Sequence, residues 1–424
     1  MSLQTARGTF DILPEDGARY RRLYDAAERV LGSAGVQEIA TPIFEHAEVF
    51  IKSAGASSDL VVQKEMYTFE KGERSLTLRP EFTPSILRAY IQNGLSSRPS
   101  PVKLWSKGPV FRAERPQRGR FHQFHQVNCE MLGLEAPLID AEAITLLYMV
   151  LREAGLSELR VKLGSVGDPE DRARYNDYLR SELRAPDLSE TSQERLRLNP
   201  LRILDSKDEG DQALIRDVQR PLDFLNPDAK AHFDAVRDYL GAWGIPFDID
   251  NSIVRGLDYY RRTAFEIHHG GIGAQSALCG GGRYDGLVES MGGPNTPGIG
   301  WAFGVERVLD ALQEEAVPLP NATRPAVFLV PMDEPAVAEV AQTALGLRPT
   351  FWVEHAYTKR NPGKGLKEAD RTRAHYAALR GSRERQAGVY ELKHLASGEQ
   401  TRVAEAELGA FLGAHTPPRS SNVH

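Results

Sequence analysis

Apolar residues recur at helical spacing between Tyr20 and Gly35. Leu23, Ala26, Ala27, Val30 and Leu31 fall on one face, and Gly32 and Gly35 supply stop signals, so an amphipathic helix is predicted. The β-branched run Ile39-Ala40-Thr41-Pro42-Ile43 then reads as a strand start. Pro42 confines it to an edge or an interface, because proline cannot donate to a ladder. Ser75 to Arg79 alternates and breaks at Pro80, and a helical pattern resumes from Pro84 to Asn93. Val102 to Arg112 and Arg120 to Leu132 read as strands joined through Pro116 and Gly119, which predicts a long antiparallel hairpin. Residues 167–228 are polar and acidic with helical patches, the pattern of an inserted helical subdomain. Strands around Arg255 to His268 and Gln275 to Cys279, a glycine cluster and a helix from Gly300 to Glu314 complete the larger domain. Past the proline-rich connector Val317 to Arg324 the order becomes βαβα: strands at Val327 to Val330 and Phe351 to Glu354, helices at Glu334 to Leu345 and Gly363 to Ala378. That order predicts a small separate α/β domain.

A chain of 424 residues has room for two or three such domains, which excludes a single small binding module. With 26% charged and 41% hydrophobic residues and a net charge of -6, the composition is that of a soluble globular protein. It excludes a strongly basic nucleic-acid coat protein, although a local basic stripe can still supply phosphate contacts. Met1 to Gly8 has no apolar signal region and no run of about 18 apolar residues follows, so export and membrane insertion are not expected. Cys129 and Cys279 lie far apart without CxxC companions, which fits a reducing cytoplasm rather than a disulfide framework or zinc site.

Candidate chemistry concentrates in a few stretches. Arg79-Pro80-Glu81-Phe82-Thr83-Pro84 puts a carboxylate and a hydroxyl at a strand end, although Thr83 could equally cap a helix with Pro84 at its first position. Arg112, Arg115, Arg118 and Arg120 outnumber the acids around them, so an anionic ligand such as a polyphosphate would satisfy them. Phe124 shares a strand face with Arg120 and could stack on a base, so a nucleotide would suit both. Gln126 and Glu130 have the same parity as Phe124 and are expected in one pocket, unless that face is simply solvated. His122 and His125, three apart on a strand, point to opposite faces and no carboxylate-rich ligand set joins them, so no metal ligand is assigned. The consecutive tyrosines in Arg255-Gly-Leu-Asp-Tyr259-Tyr260 are too polar for a plain strand. Gly280-Gly281-Gly282 permits either close backbone approach or a tight turn. Gly298-Ile-Gly300-Trp-Ala-Phe-Gly304 lacks the βαβ continuation of a dinucleotide site. Glycines at that junction, with Arg307 one helical turn on, would instead let a base lie on the backbone beneath an arginine-held phosphate.

Together these motifs resemble the histidyl-tRNA synthetases, class II aminoacyl-tRNA synthetases, from about Arg7 to His415. Arg-Gly-Leu-Asp-Tyr-Tyr at 255–260 and Gly-Gly-Arg-Tyr-Asp-Gly at 281–286 look like that family's two histidine signatures. Arg112 with residues 115–130 resembles motif 2, residues 300–307 resemble motif 3, and Pro42 stands where motif 1 places an interface proline. The resemblance implies an α+β protein: a class II antiparallel catalytic sheet of six or seven strands flanked by helices, a helical insertion, and a C-terminal three-layer α/β anticodon-binding domain. The domains would be 1–323 (insertion about 167–228) and 324–415, with 416–424 an expected disordered tail.

The implied reaction is ATP-dependent ligation of L-histidine to histidine tRNA through a histidyl-adenylate, in a cytoplasmic homodimer using Mg2+ with ATP. The resemblance assigns Arg112 and Arg255 to the α-phosphate, Arg120 and Arg307 to the outer phosphates and Phe124 to adenine. It assigns Glu130 and Tyr260 to the imidazole, Glu81 and Thr83 to the α-ammonium, Gln126 to the carboxylate, and Tyr259 and Tyr284 to pocket closure. Between His355 and Arg385 nine lysines and arginines face three acids, a stripe suited to tRNA phosphates or to a solvated helix face. After Gly381 the family commonly has glutamate, but here Ser382 and Arg383 follow. The alternatives are a catalytically silent regulatory subunit of histidine biosynthesis, or another class II synthetase such as a prolyl or threonyl type. The signature arginine, the anticodon domain and the histidine motifs argue against both.

Overall fold

The computed structural model describes residues 3–54, 65–113, 121–253, 259–271, 277–318 and 324–416, and the chain divides into two compact units, Met1–Val317 and Pro318–His424. In the first unit a proline in the opening turn starts the helix Pro14–Ser33, whose Leu23, Ala26, Ala27, Val30 and Leu31 are all buried. The chain then forms β1 (Gln37–Glu38), which leaves its ladder before Thr41 and Pro42. The edge strand therefore lies a few residues earlier than the Ile39 to Ile43 run suggests, because Pro42 cannot extend it. Next, β2 (Phe44–His46), β3 (Thr68–Lys71) and β4 (Arg74–Leu78) make a separate three-stranded sheet in the order β2-β4-β3.

The main sheet is built from β1 together with β5 (Val102–Phe111), β6 (Gln123–Leu132), β7 (Leu159–Ser165), β8 (Phe247–Ile249), β9 (Arg261–His269), β10 (Ala277–Arg283) and β11 (Gly298–Gly304). Its order is β1-β5-β6-β11-β10-β9-β7-β8, eight strands rather than the expected six or seven. Six central strands are antiparallel, and the short outer strands β1 and β8 each add a parallel edge. Strands of two and three residues are too short for alternation to reveal.

Along β6 the odd positions Val127, Cys129 and Met131 enter the main apolar core with Leu23, Leu31, Ile144, Leu147 and Trp301. The helix Pro137–Ala154 supplies Ile144 and Leu147 and stops at Gly155, which adopts φ +114 where a side chain would be strained. The even positions Phe124, Gln126, Asn128 and Glu130 consequently face the other way. The insertion carries the helices Pro169–Glu182, Glu190–Leu198 and Glu209–Ile215 and its own core of Tyr175, Leu179, Leu196, Leu201, Ile203 and Leu204.

The second unit holds β12 (Val327–Pro331), β13 (Val353–His355), β14 (Tyr376–Arg380), β15 (Val389–His394) and β16 (Gln400–Ala404), ordered β13-β12-β14-β15-β16. Val327 and Leu329 pack with Val340 and Ala344 on one face of β12, while Phe328 and Val330 pack with Ala356 and Ala369 on the other, which makes three layers. The helix expected over Gly363 to Ala378 spans only Pro362–Arg371. Arg373 turns the chain with φ +55, and Tyr376 onward joins the sheet. Thr416, the first residue of the expected tail, is buried and its hydroxyl donates to the Leu412 carbonyl at 2.7 Å, while residues 417–424 lie outside the described residues.

Candidate active site

The site is built from the even face of β6. Glu130 pairs across the ladder with Gly300 on β11, which in turn pairs with Gly282 on β10. A Cβ at Gly300 would overlap Glu130 Oε2, and one at Gly282 would lie 2.7 Å from Tyr260 Cδ1. These glycines are therefore strand residues that clear space for a carboxylate and a tyrosine ring. The tight turn that Gly280–Gly282 also allowed is not formed, and Gly300, expected to start a helix, is in β11, with the helix Val305–Glu314 beginning only after Gly304.

Glu130 is completely buried and accepts three hydrogen bonds, two on Oε1 and one on Oε2. Thr83 donates from Oγ1 at 2.5 Å and Asn128 from Nδ2 at 2.9 Å to Glu130 Oε1, while the Tyr284 hydroxyl donates to Oε2. Burial pushes the carboxyl up to about 7 against the opposing pull of those three bonds. Thr83 begins the helix Thr83–Gln92, with Pro84 at its first turn, but its hydroxyl binds Glu130 and does not cap. Asn128 was missed from the sequence, although its parity with Gln126 and Glu130 on β6 was a signal for it.

The other proposed histidine contacts gather nearby. Tyr259 lies 4.7 Å from Tyr260 and 6.0 Å from Tyr284, ring centre to ring centre. Glu81 Oε2 is 3.9 Å from Arg112 Nη2, and the Arg112 guanidinium lies 5.6 Å from the Phe124 ring centre. Arg112 Nε donates to the Pro80 carbonyl at 2.9 Å, which fixes the guanidinium over the start of the Glu81 segment. Gln126 is buried between Gly108 and Gly304 in the paired strands, and its Oε1 accepts no hydrogen bond among the described residues. Leaving such an oxygen buried costs about 1–3 kcal/mol, a cost that a ligand donor would remove.

The remaining predicted residues are placed differently. Arg307 lies on the helix Val305–Glu314 beyond Gly304 and donates to the Ala277 carbonyl at 2.9 Å. Arg120 and Arg255 lie outside the described residues, as do Arg115 and Arg118. His122 meets the Tyr67 ring, whereas His125 bonds Glu306 through Nδ1 at 2.8 Å, and Tyr20 donates to the same carboxylate at 3.1 Å. Arg283, in the second signature, is fully buried and bound to Asp140 and to Asp285, the latter at 2.9 Å. Asp285 also accepts the Gly298 amide at 3.0 Å, which ties the turn after Tyr284 to β11.

Residues 8–308 match the family model described as histidyl-tRNA synthetase, and residues 326–415 match the anticodon binding domain model. The chain is 52% identical to the histidine–tRNA ligase of Thermus thermophilus over 97% of this chain and 99% of the relative. It is 50% identical to that of Deinococcus radiodurans, over 97% of this chain and all of the relative. Among solved structures it is similar to apo S. aureus histidyl-tRNA synthetase, with a TM-score of 0.82 at 33% identity, covering 97% of this chain and all of that one. The family models cover both units, and the glycine-cleared pocket around Glu130 lies within the first: the chain belongs to the histidyl-tRNA synthetase family.

Proposed function

We propose that this chain activates L-histidine with ATP and transfers it to histidine tRNA in the cytoplasm. The observation that carries the reading is the Glu130 carboxyl, fully buried beneath a wall of tyrosines and opposite Gly300. A neutral imidazole offers one N–H and one lone pair, and a slot that pairs both rejects isosteres far better than an apolar slot does. Glu130 would take the N–H and Tyr260 the other ring nitrogen. Glu81 and Thr83 would hold the α-ammonium, Gln126 would donate from its side-chain NH2 to the carboxylate, and Tyr259 and Tyr284 would close the pocket.

The histidine carboxylate is ionised at neutral pH, so its attack on the α-phosphorus needs no general base. It needs alignment and charge neutralisation. One carboxylate oxygen bonds to phosphorus and the bond to pyrophosphate breaks; a hydroxyl of the terminal tRNA ribose then attacks the carbonyl carbon and AMP leaves. Arg112, held by Pro80 and beside Phe124, would meet the α-phosphate, with Arg255 facing it, while Phe124 stacks on adenine. Arg120 and Arg307 would hold the outer phosphates. Phosphate charge left uncovered by these arginines would be neutralised by Mg2+ bound with ATP.

For tRNA, exposed Lys364, Lys367 and Arg371 lie at positions i, i+3 and i+7 of the helix Pro362–Arg371 and present one basic face. Other cations of the stripe are held internally: Arg360 by Glu368, Arg380 by Glu405, and Arg385 by Glu339. For a homodimer, Ile43 and Phe44, directly after Pro42, and Phe69 in the same small sheet are exposed and would be covered by a second copy. The test is charging of histidine tRNA with labelled histidine. Transfer in the presence of ATP supports the reading, and absence of charging by active-site-intact dimer favours the regulatory alternative.

A further inference from the structure

The strand that carries Tyr259 and Tyr260 into the pocket begins with an irregularity. Gly282 pairs with Ala264, but Arg283 pairs with Arg261, so β9 holds a bulge. Its residue Arg262 has φ +49, a left-handed conformation that costs a non-glycine residue energy and persists only where neighbours impose it. The neighbours are visible. The Arg262 amide donates to the Gly167 carbonyl at 3.0 Å, and its own carbonyl accepts from Val166 at 2.9 Å. Its guanidinium forks onto Asp168, Nε to Oδ1 at 3.1 Å and Nη2 to Oδ2 at 3.2 Å, while Nη1 reaches Glu135 at 3.1 Å. Arg261 adds a bond to Asp168 Oδ1 at 3.0 Å.

Asp168 is also where the helical insertion is rooted. It precedes the first insertion helix, Pro169–Glu182, and shares with Asp171 the Asn226 side-chain amide, at 3.2 and 3.1 Å. Asn226 in turn caps the helix Pro227–Ala242 that leads back to the sheet, through Oδ1 to the Ala229 amide at 2.8 Å. One buried carboxylate thus joins both ends of the insertion to the bulge. On the other side of that bulge Tyr260 packs with Val166 and Ala264 and lies over Gly282.

We propose that Asp168 is a positioning residue for histidine: it holds Arg262 in the left-handed bulge, so that Tyr259 and Tyr260 stand against the pocket, and it couples the footing of the insertion to that geometry. The proposal rests on the histidine-activating reading above. Asp168 touches no substrate; it acts through the backbone two residues past Tyr260. The neutral, near-isosteric Asp168→Asn weakens the fork, and because small misplacements of binding groups have large kinetic effects it should raise the KM for histidine at least ~10-fold. The KM for ATP should stay within about 2-fold, since the Arg112 and Phe124 region does not hang on this bulge.

Arg262→Gly supplies the second variant, because glycine enters the left-handed region without a clamp. In that background Asp168→Asn should add less than about 2-fold to the histidine KM, because its partner is already gone, and the selectivity of the effect for histidine over ATP is the readout that a purely structural role would not give. The measurement is histidine-dependent exchange of pyrophosphate into ATP, with both substrates titrated, for wild type, the two single variants and the double. A selective histidine effect that vanishes in the double-variant comparison is the expected result. A silent Asp168→Asn, an equal rise in both KM values, or additive effects in the Arg262→Gly background overturn the clamp alone while wild-type exchange remains. Absence of histidine-dependent exchange in wild type overturns the reading of the site and this role with it.

Discussion

The two larger sheets of the molecule bury different things. The eight-stranded sheet and the helix Pro137–Ala154 hold Glu130, Arg283 and Asp140 with no exposed surface, whereas the five-stranded sheet fills both faces with residues such as Val327, Leu329, Val330 and Ala377. Burying a charge is costly unless it is paired and hydrogen-bonded: Asp140 binds Arg283, His232 and Thr263, whereas Glu130 accepts three bonds from neutral groups and its carboxyl is pushed up to about 7. The second sheet buries one such charge, Arg380 at the end of β14, paired with Glu405 and Glu339; its interior is otherwise apolar, and the unit turns a basic helix face outward. The difference matches the proposed function: the candidate histidine site uses polarity buried beside the first sheet, and the candidate tRNA contact uses charge displayed on the surface of the second unit.

The comparison breaks most severely at Arg112. Arg112→Ala should lower kcat/KM for pyrophosphate exchange about 10³-fold, the loss expected of a group that meets charge in the transition state. Its thermal midpoint should barely move, because the side chain is half-exposed; a melting scan beside the kinetics checks both. In the apolar sheet the balance should reverse. Leu329→Ala removes a fully buried side chain and should cost about 2–5 kcal/mol in denaturant unfolding, while histidine-dependent exchange, measured well below the transition, keeps the wild-type rate.

A sharper prediction concerns pH. The Glu130 carboxyl titrates near 7 in the folded protein against 4.5 for an ordinary glutamate, so between these values the native state holds the extra proton. Stability from this group is full below pH ~4.5 and is lost as pH rises through ~7, by up to roughly 3 kcal/mol. Glu130→Gln has no such titration. Its stability relative to wild type should therefore climb from pH 4.5 to 8, and a pH-independent difference in chemical denaturation would contradict the assignment. The smallest effect belongs to the surface of the second unit: Lys364→Ala should weaken tRNA binding severalfold and lower the slope of log K against log salt by about 1.

Much of this arrangement is legible in the residues, and the failures have physical causes. The hairpin of β5 and β6 shows in alternation alone, and the parity that unites Gln126 and Glu130 also contains Asn128, an acceptor and donor overlooked because amides are common on solvated faces. Glycine misled once. Gly300 looks like a junction residue by local propensity, while Gly280 to Gly282 allowed close approach or a tight turn and the first is found; what demands Gly282 and Gly300 is a Tyr260 ring and a Glu130 carboxylate. Thr83 has the composition of a cap, yet a buried carboxylate 47 residues away claims its hydroxyl. The helix that stops at Arg371 ends through a left-handed arginine, Arg373, for which the sequence carries no glycine signal. The buried fork between Asp168 and Arg262 is invisible to spacing for the same reason: its partners are 94 residues apart.

The most direct test of the central claim, that the Glu130 pocket selects histidine, is pyrophosphate exchange into ATP with each of the twenty amino acids in turn, without tRNA, for wild type and Glu130→Gln. The account predicts exchange with histidine and essentially none with proline or threonine, and a collapse of the histidine-dependent kcat/KM in the variant. Exchange with another amino acid, or an unchanged histidine rate in Glu130→Gln, would contradict it.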